Sequence, residues 1–484
     1  MHSSKASGKK DQGGLKLSYK RTFLIGFAFF GILLLWQVYD TWCPTFLTEL
    51  FKEALGADNP QEVQYLVGIM MALDNLAALI LLPIFGKLSD KTHTRIGKRM
   101  PYILVGTFVC AVAFPFIPVL FHYHSLAGTI AMMAVVVCFA MMYRNPAVAL
   151  MPDMTPKPLR SRANSIINIM GYIGGGFATV VGIVFVLSDY LGRDSNNNSV
   201  NWLNHKGNIW IIEAPFLIAS VLMLLSALVL FFTIHENEIE KEIEPEMKKG
   251  EELAEIENKI TDEDAPLSKA NRTMLLLILA AEFFWFMADN GIGTFMGNYT
   301  LYYLHCKTSS NSINTIVGGV GSVLGFVVGG LLASKIGRKW TIFSGLSLTL
   351  LSYVGWIVFS YVFPVKAVAA GEFNSFPVYL FVIFALKGFG MSLVHVNSFP
   401  MVVELCSRKA VGRFTGYYYA ASMLAQTITP GLLGLLVLIP GYGFSLLPVY
   451  ALCCLALSLG CFAFVKNIRP KKLSDAEERI DIEE

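Results

Sequence analysis

The chain has 484 residues, of which 54% are hydrophobic and 15% charged, with 35 phenylalanines and a formal net charge of +3. Soluble domains carry about 25% charged residues. This composition, with a mean hydropathy of +0.55, therefore excludes a disordered chain, a disulfide-rich secreted module and most soluble enzymes. The charge is too small for a nucleic-acid footprint, which leaves the lipid bilayer as the implied partner.

A helix needs about 20 apolar residues to cross a bilayer, and twelve runs meet that length. They fall at 22–48, 62–86, 101–121, 126–150, 164–190, 209–234, 272–304, 313–334, 340–363, 376–402, 413–438 and 443–465. The runs are continuous rather than alternating, so they predict helices and not a membrane barrel. Pro44, Pro83, Pro146 and Pro430 lie inside runs and predict kinks of the kind membrane helices tolerate. The first 20 residues are polar and basic, and the run that follows is long enough to be retained as a span rather than cleaved. The eight cysteines show no metal spacing and read as small packing groups.

Orientation follows from the basic residues, which are retained on the cytoplasmic side. The N-terminal tail, the even-numbered connections and the C-terminal tail hold 31 of the 38 Lys and Arg; the odd-numbered connections hold only Lys52, Arg193, Lys206, Lys307 and Lys366. Both termini are therefore expected in the cytoplasm, with a tail at 1–21, a first bundle at 22–234, a linker at 235–271, a second bundle at 272–466 and a tail at 467–484. The linker carries 13 acidic residues and is expected to be solvated and partly helical. Asn197 and Asn298 each begin an Asn-x-Ser/Thr triplet, whose use depends on the host.

The chain repeats itself across the linker. Trp36 and Asp40 in span 1 return as Trp285 and Asp289 in span 7, offset by 249, and Thr45-Phe46 returns as Thr294-Phe295. Asp153 precedes Arg162 by nine residues, as Glu404 precedes Arg413, offset by 251. Gly97-Lys98-Arg99 after span 2 returns as Gly337-Arg338-Lys339 after span 8. Two six-helix halves in parallel repeat are a transporter architecture.

Two segments carry a more specific resemblance. Gly86 to Lys91, with Arg95, Gly97, Lys98 and Arg99, resembles the span 2–3 loop signature of the major facilitator superfamily. Asn145-Pro146 to Asp153, followed by Arg160, Arg162 and Asn164, is similar to the span 4–5 region of sucrose/proton symporters of the glycoside–pentoside–hexuronide cation symporter group. The resemblance implies an all-α polytopic membrane protein of twelve helices in two six-helix bundles, carrying a sugar across the plasma membrane as a monomer. The corresponding loop in the second half departs from the signature, with Ser334 where an acid is expected.

A charge at the bilayer centre costs about 3 kcal/mol on insertion scales, so intramembrane ionisable groups are functional candidates. Asp40 lies one turn after Trp36, and Asp289 one turn after Trp285, so each pair shares a helix face. Two such faces across a cavity offer carboxylates for sugar hydroxyls and indoles for sugar C–H faces; the plainer reading is an interfacial Trp and an Asp near a helix end. Arg144 cannot lose its charge and must face a carboxylate, substrate or water. Its repeat counterpart is His395, a titratable candidate, although a lone histidine in a helix is more often a packing group. Asn75, beside Asp74, completes the expected substrate set.

For the coupling proton the candidates are Asp153, Asp40, Asp74 and Glu282. The symporter resemblance implies a protonatable acid at Asp153, whereas its neighbours suggest a latch to Arg160 or Arg162. Glu282 is also a possible ion partner for Lys387. Sodium coupling is disfavoured, because Leu82 stands where the sodium-coupled sugar symporters carry a second carboxylate. Asp90, Arg95, Arg99, Arg162, Glu404 and Arg413 are expected to gate the cytoplasmic side. The glycines at 171–176 and 325–330 lack a Gly-Lys-Ser/Thr ending and read as close helix contacts.

No nucleophile, metal cluster or cofactor motif is present, so neither an enzyme nor a bound cofactor is expected, and the proton is the expected coupling ion. The function expected is proton-coupled import of a disaccharide or related glycoside. The alternatives are an antiporter exporting amphipathic compounds, a passive sugar facilitator and a non-transporting sensor acting through the acidic linker.

Overall fold

A computed structural model describes residues 15–194, 198–260, 269–369, 371–405 and 411–466. Twelve of its helices are long and apolar enough to cross a membrane. Spans 1 to 6 are Tyr19–Leu55, Pro60–Lys91, Met100–His122, Leu126–Asp153, Arg162–Leu191 and Trp210–Thr233. Spans 7 to 12 are Arg272–Tyr303, Thr308–Ile336, Arg338–Val362, Val378–Val402, Arg413–Val437 and Gly443–Ala463. Span 1 extends past its expected ends because local chemistry closes both. Ser18 accepts the Arg21 N–H at its start, and Gly56 stops it at φ 61°, in the left-handed region that glycine adopts at helix ends.

The packing repeats as the sequence repeats. Span 1 packs on spans 5 and 6, and span 7 on spans 11 and 12; span 4 packs on 2 and 3, and span 10 on 8 and 9. The halves meet through span 2 against span 11 and span 5 against span 8, a pair of contacts related by the same repeat. The first of these is close because two residues lack a Cβ. A Cβ on Gly68 would strike the Pro430 carbonyl, and one on Gly434 the Gln64 carbonyl.

The charged linker contains a helix, Glu236–Ile260, longer than the partial helix expected. It is bound to the first half: Ile243 is buried, Lys157 pairs with Glu251 at 3.6 Å, and Asn237 donates to the carbonyls of Thr94 and Arg95, both at 2.9 Å. The connections after odd-numbered spans form one face, here called the odd face. The even face carries the remaining connections, including this helix.

Candidate functional site

A cavity of about 560 Å³ lies between the halves, lined by spans 1, 2, 4, 7, 8, 10 and 11. From the first half it receives Trp36, Gln37, Asp40, Asp74, Asn75 and Arg144. From the second it receives Asn290, Asn311, Lys387 and Gln426, with a flat stretch at Gly293, Gly297, Gly318 and Gly319. Tyr39 donates to Asp74 Oδ2 at 2.7 Å, fixing that carboxylate. Asp40 and Arg144 lie within electrostatic reach of each other. Asn75 Nδ2 donates to the Gln426 carbonyl at 3.0 Å, bridging the halves at the level of the cavity.

The repeat does not place its two copies alike. Trp36 lines the cavity, but Trp285 is fully buried in the hydrophobic core and does not face the cavity as expected. Asp40 lines the cavity, whereas Asp289 stands behind Lys387 and is ion-paired to it. This corrects the expected pairing of Lys387 with Glu282, whose oxygens have no hydrogen-bond partner. His395 is not in the lining. Its ring packs on Phe286 with centroids 5.5 Å apart, within electrostatic reach of Asp289 and Lys387.

On the odd side of the cavity the halves are tied in two layers. In the inner layer Asn298 of span 7 accepts from Thr45 at 2.9 Å and donates to Thr48 and Gln64, each at 3.0 Å. All four side chains are buried, so the Asn-x-Ser/Thr triplet that Asn298 begins is enclosed in this form. Asn197 lies outside the described residues. In the outer layer the Glu49 carboxylate accepts from Arg193 at 3.1 Å and from Tyr302 at 2.8 Å. The guanidinium stacks 4.4 Å from the Tyr302 ring centroid. Lys307 pairs with Asp189 at 3.0 Å nearby. A single π-type turn, Tyr299–Tyr303, ends span 7 and carries Tyr302; such turns recur at functional sites.

None of the outer layer was singled out from the sequence. The available signals were Glu49, an acid within an apolar run, and Arg193, one of only five basic residues on the odd-numbered connections.

On the even side, the bonds found between described residues stay within a half. Arg99 is their centre: it donates to Ser89 at 2.5 Å and pairs with Asp90 at 2.5 Å and Asp153 at 2.9 Å. Lys98 joins Asp153 at 3.4 Å and Glu240 at 3.6 Å. The Glu236 carboxylate accepts the Arg99 and Met100 N–H groups at 2.9 and 3.2 Å, capping the free amides at the start of span 3. Burial pushes the Glu236 carboxyl above its ordinary range, and these backbone bonds oppose the shift.

Asp153 thus pairs with Arg99 and Lys98, not with Arg160 or Arg162. Arg160 instead donates to the carbonyls of Thr155 and Pro152. Arg162 and Arg95 are exposed, as is Arg413, whose guanidinium lies 5.3 Å from the Phe414 ring centroid. The Glu404 side chain lies outside the described residues, and so does its expected latch.

The geometry is that of a polar chamber with ties across the halves on the odd side and, among the described residues, no such hydrogen bond or ion pair on the even side. Comparison with known proteins agrees. A family model for the Major Facilitator Superfamily matches residues 22–370 and 363–481. A multi-drug resistance efflux pump PmrA homolog of Lactococcus lactis is 24% identical over 79% of this chain and 80% of its own length. A lactose permease of Lactobacillus helveticus is 32% identical, but over only 23% of this chain and 16% of its own.

Among solved structures, a D-xylose-proton symporter superposes with a TM-score of 0.60 at 17% identity, over 93% of this chain and 99% of that one. A bacterial homologue of the iron transporter ferroportin, inward-facing, superposes with a TM-score of 0.62 at 15% identity, over 92% and 99%. At such identities the structural likeness speaks for the fold alone. This chain is a multi-pass membrane transporter, not an enzyme, and it belongs to the Major Facilitator Superfamily.

Proposed function

We propose that the chain is a plasma-membrane, proton-coupled importer of a disaccharide or related glycoside, with the even face cytoplasmic. The observation that carries this reading is the cavity lining: Asp40, Arg144 and Asn75 beside the Trp36 indole, opposite Asn290, Asn311 and Lys387. Such a set offers donors and acceptors to many hydroxyls and an aromatic face to a sugar ring. A volume of about 560 Å³ falls within the roughly 300–1,000 Å³ typical of small-molecule sites. The acids and cations are balanced across the chamber, which suits a neutral solute.

The halves rock about this site in the proposed cycle. Entry from outside requires the Asn298 and Glu49 layers to part, and release occurs in the form described here, through the even side. Substrate hydroxyls compete with Asp40 for the Arg144 guanidinium in the cavity, and the cycle is driven by a proton taken up on an intramembrane carboxylate. The proton's drive is about 2.3 kcal/mol per 100 mV plus about 1.4 per pH unit. Together these sustain accumulation of roughly several hundredfold.

The test is uptake of labelled sucrose and maltose into proteoliposomes under an imposed pH gradient. Accumulation against the sugar gradient, abolished by a protonophore, is expected. Uptake insensitive to the protonophore would instead identify a passive facilitator. A second reading, proton-driven efflux of amphipathic compounds, is favoured by the long match to a relative named as an efflux pump and by Leu33, Met71, Met141 and Phe384 in the lining. Gradient-dependent expulsion of a lipophilic dye, with no sugar uptake, would establish it.

A further inference from the structure

Glu282 is a buried ionisable group that neither the cavity nor either gate uses. It lies on span 7, is fully buried, and neither carboxylate oxygen has a hydrogen-bond partner. Three other acids described above are matched: Asp74 by Tyr39, Asp289 by Lys387 and Glu49 by Arg193 and Tyr302. An unpaired carboxylate inside a protein is strongly disfavoured as an anion. A glutamate retained there is therefore stable as the neutral acid, and becomes stable as an anion only if its surroundings change.

Its surroundings link it to the cavity. Glu282 stands seven residues, two helical turns, before Asp289 on the same face of span 7. Phe286, one turn on, carries the ring contact to His395, and His395 lies within reach of Asp289 and Lys387. From span 11, Tyr418 is the titratable group within electrostatic reach of Glu282, and its hydroxyl is joined to Ser398 of span 10 at 2.8 Å. Span 12 meets the same turn through Ser458, which donates to the Ala281 carbonyl at 2.9 Å. Spans 7, 10, 11 and 12 therefore converge on one acid whose charged form has no partner in this conformation.

Resting on the proton-coupled reading, we propose that Glu282 is a proton-binding site of the second half, separate from the substrate cavity. It takes its proton from the odd side, still holds it in the form open on the even side, and releases it to the even side when span 7 shifts against spans 10 and 11, before the empty carrier returns. The substrate and the proton then occupy different places, and the Lys387–Asp289 pair with His395 lies between them.

Two measurements on the full-length protein test this. In the first, infrared spectra of reconstituted wild type are compared with those of Glu282→Gln at neutral pH. A protonated-carboxyl C=O band present in wild type and missing from the variant is expected. Identical spectra in that region would overturn the proposal, whether or not the protein carries sugar. In the second, accumulation driven by a pH gradient is compared with sucrose exchange at equal pH on both sides. One coupled proton supports about tenfold accumulation per pH unit. The variant is expected to lose this accumulation at least about tenfold more than it loses exchange. Equal loss of both, or accumulation as in wild type, would overturn the proposal. A wild type that shows the band but no proton-driven uptake would defeat the import reading and leave a protonated Glu282 standing.

Discussion

The two faces of the transporter are held by opposite strategies. On the odd side bonds cross between the halves: Asn298 to Thr45, Thr48 and Gln64, and Tyr302 to the Glu49–Arg193 pair of the first half, by a hydrogen bond to Glu49 and a stack under Arg193. On the even side the dense network around Arg99 stays within the first half, binding spans 2, 3 and 4 to the linker helix. The first kind of bond must break in every cycle, and the second need not. A cross-half tie is thus a term in the conformational equilibrium, whereas an intra-half tie keeps one rocking body rigid. The residues resembling a family signature belong to the rigid body, and the residues that tie the halves together carry no motif.

The sharpest way to break this contrast is Arg193→Ala. It leaves the Glu49 carboxylate buried without its cation, a loss of about 3–5 kcal/mol for such pairs. The closed odd side is expected to open, read as a longer distance between spin labels at Ala57→Cys and Glu372→Cys. An unchanged distribution would mean that the layer is ornamental. Arg99→Ala is next, at about 1.5–3 kcal/mol for charged hydrogen bonds. It should lower thermal stability without moving that odd-face distance, and a shift in the distance would erase the distinction between the faces. Asn298→Ala strips partners from three buried polar side chains, at about 1–3 kcal/mol, and should open the odd side less than Arg193→Ala does.

A smaller effect is expected from pH. His305, between spans 7 and 8, has its pKa lowered below the usual 6.5 by burial and then by Arg193. The closed form binds this proton less well than a free histidine does. His305 therefore contributes fully to closure above pH 6.5, and the contribution fades as pH falls through the depressed value. Acid on the odd side should lengthen the label distance, and His305→Asn should flatten that response. The smallest change concerns the repeated tryptophans: Trp36→Phe should remove the fluorescence response to bound sugar, and Trp285→Phe should leave it. The reverse outcome would place the ligand elsewhere.

Much of the architecture was legible in the chain. Twelve apolar runs, the ordered echoes across the linker and the sided basic residues gave two halves of six spans, because a bilayer imposes its thickness on any sequence. Of the first-half cavity set, Trp36, Asp40, Asp74, Asn75 and Arg144 were also legible, since a polar group deep in an apolar run needs a reason to be there; Gln37 was not singled out.

What the chain could not disclose was rotation about each helix axis. A span that is apolar all round has no face marked as inward, so the matching Trp-x-x-x-Asp motifs of spans 1 and 7 looked equivalent. Packing alone turned Trp36 into the chamber and Trp285 into the core, and gave Lys387 to Asp289 rather than to Glu282. Likewise Glu49, Arg193 and Tyr302 stand 144 and 253 residues apart. No local pattern marks such a meeting: the Glu49–Arg193 pair forms when the first half folds, and Tyr302 joins it only when the two halves close on each other.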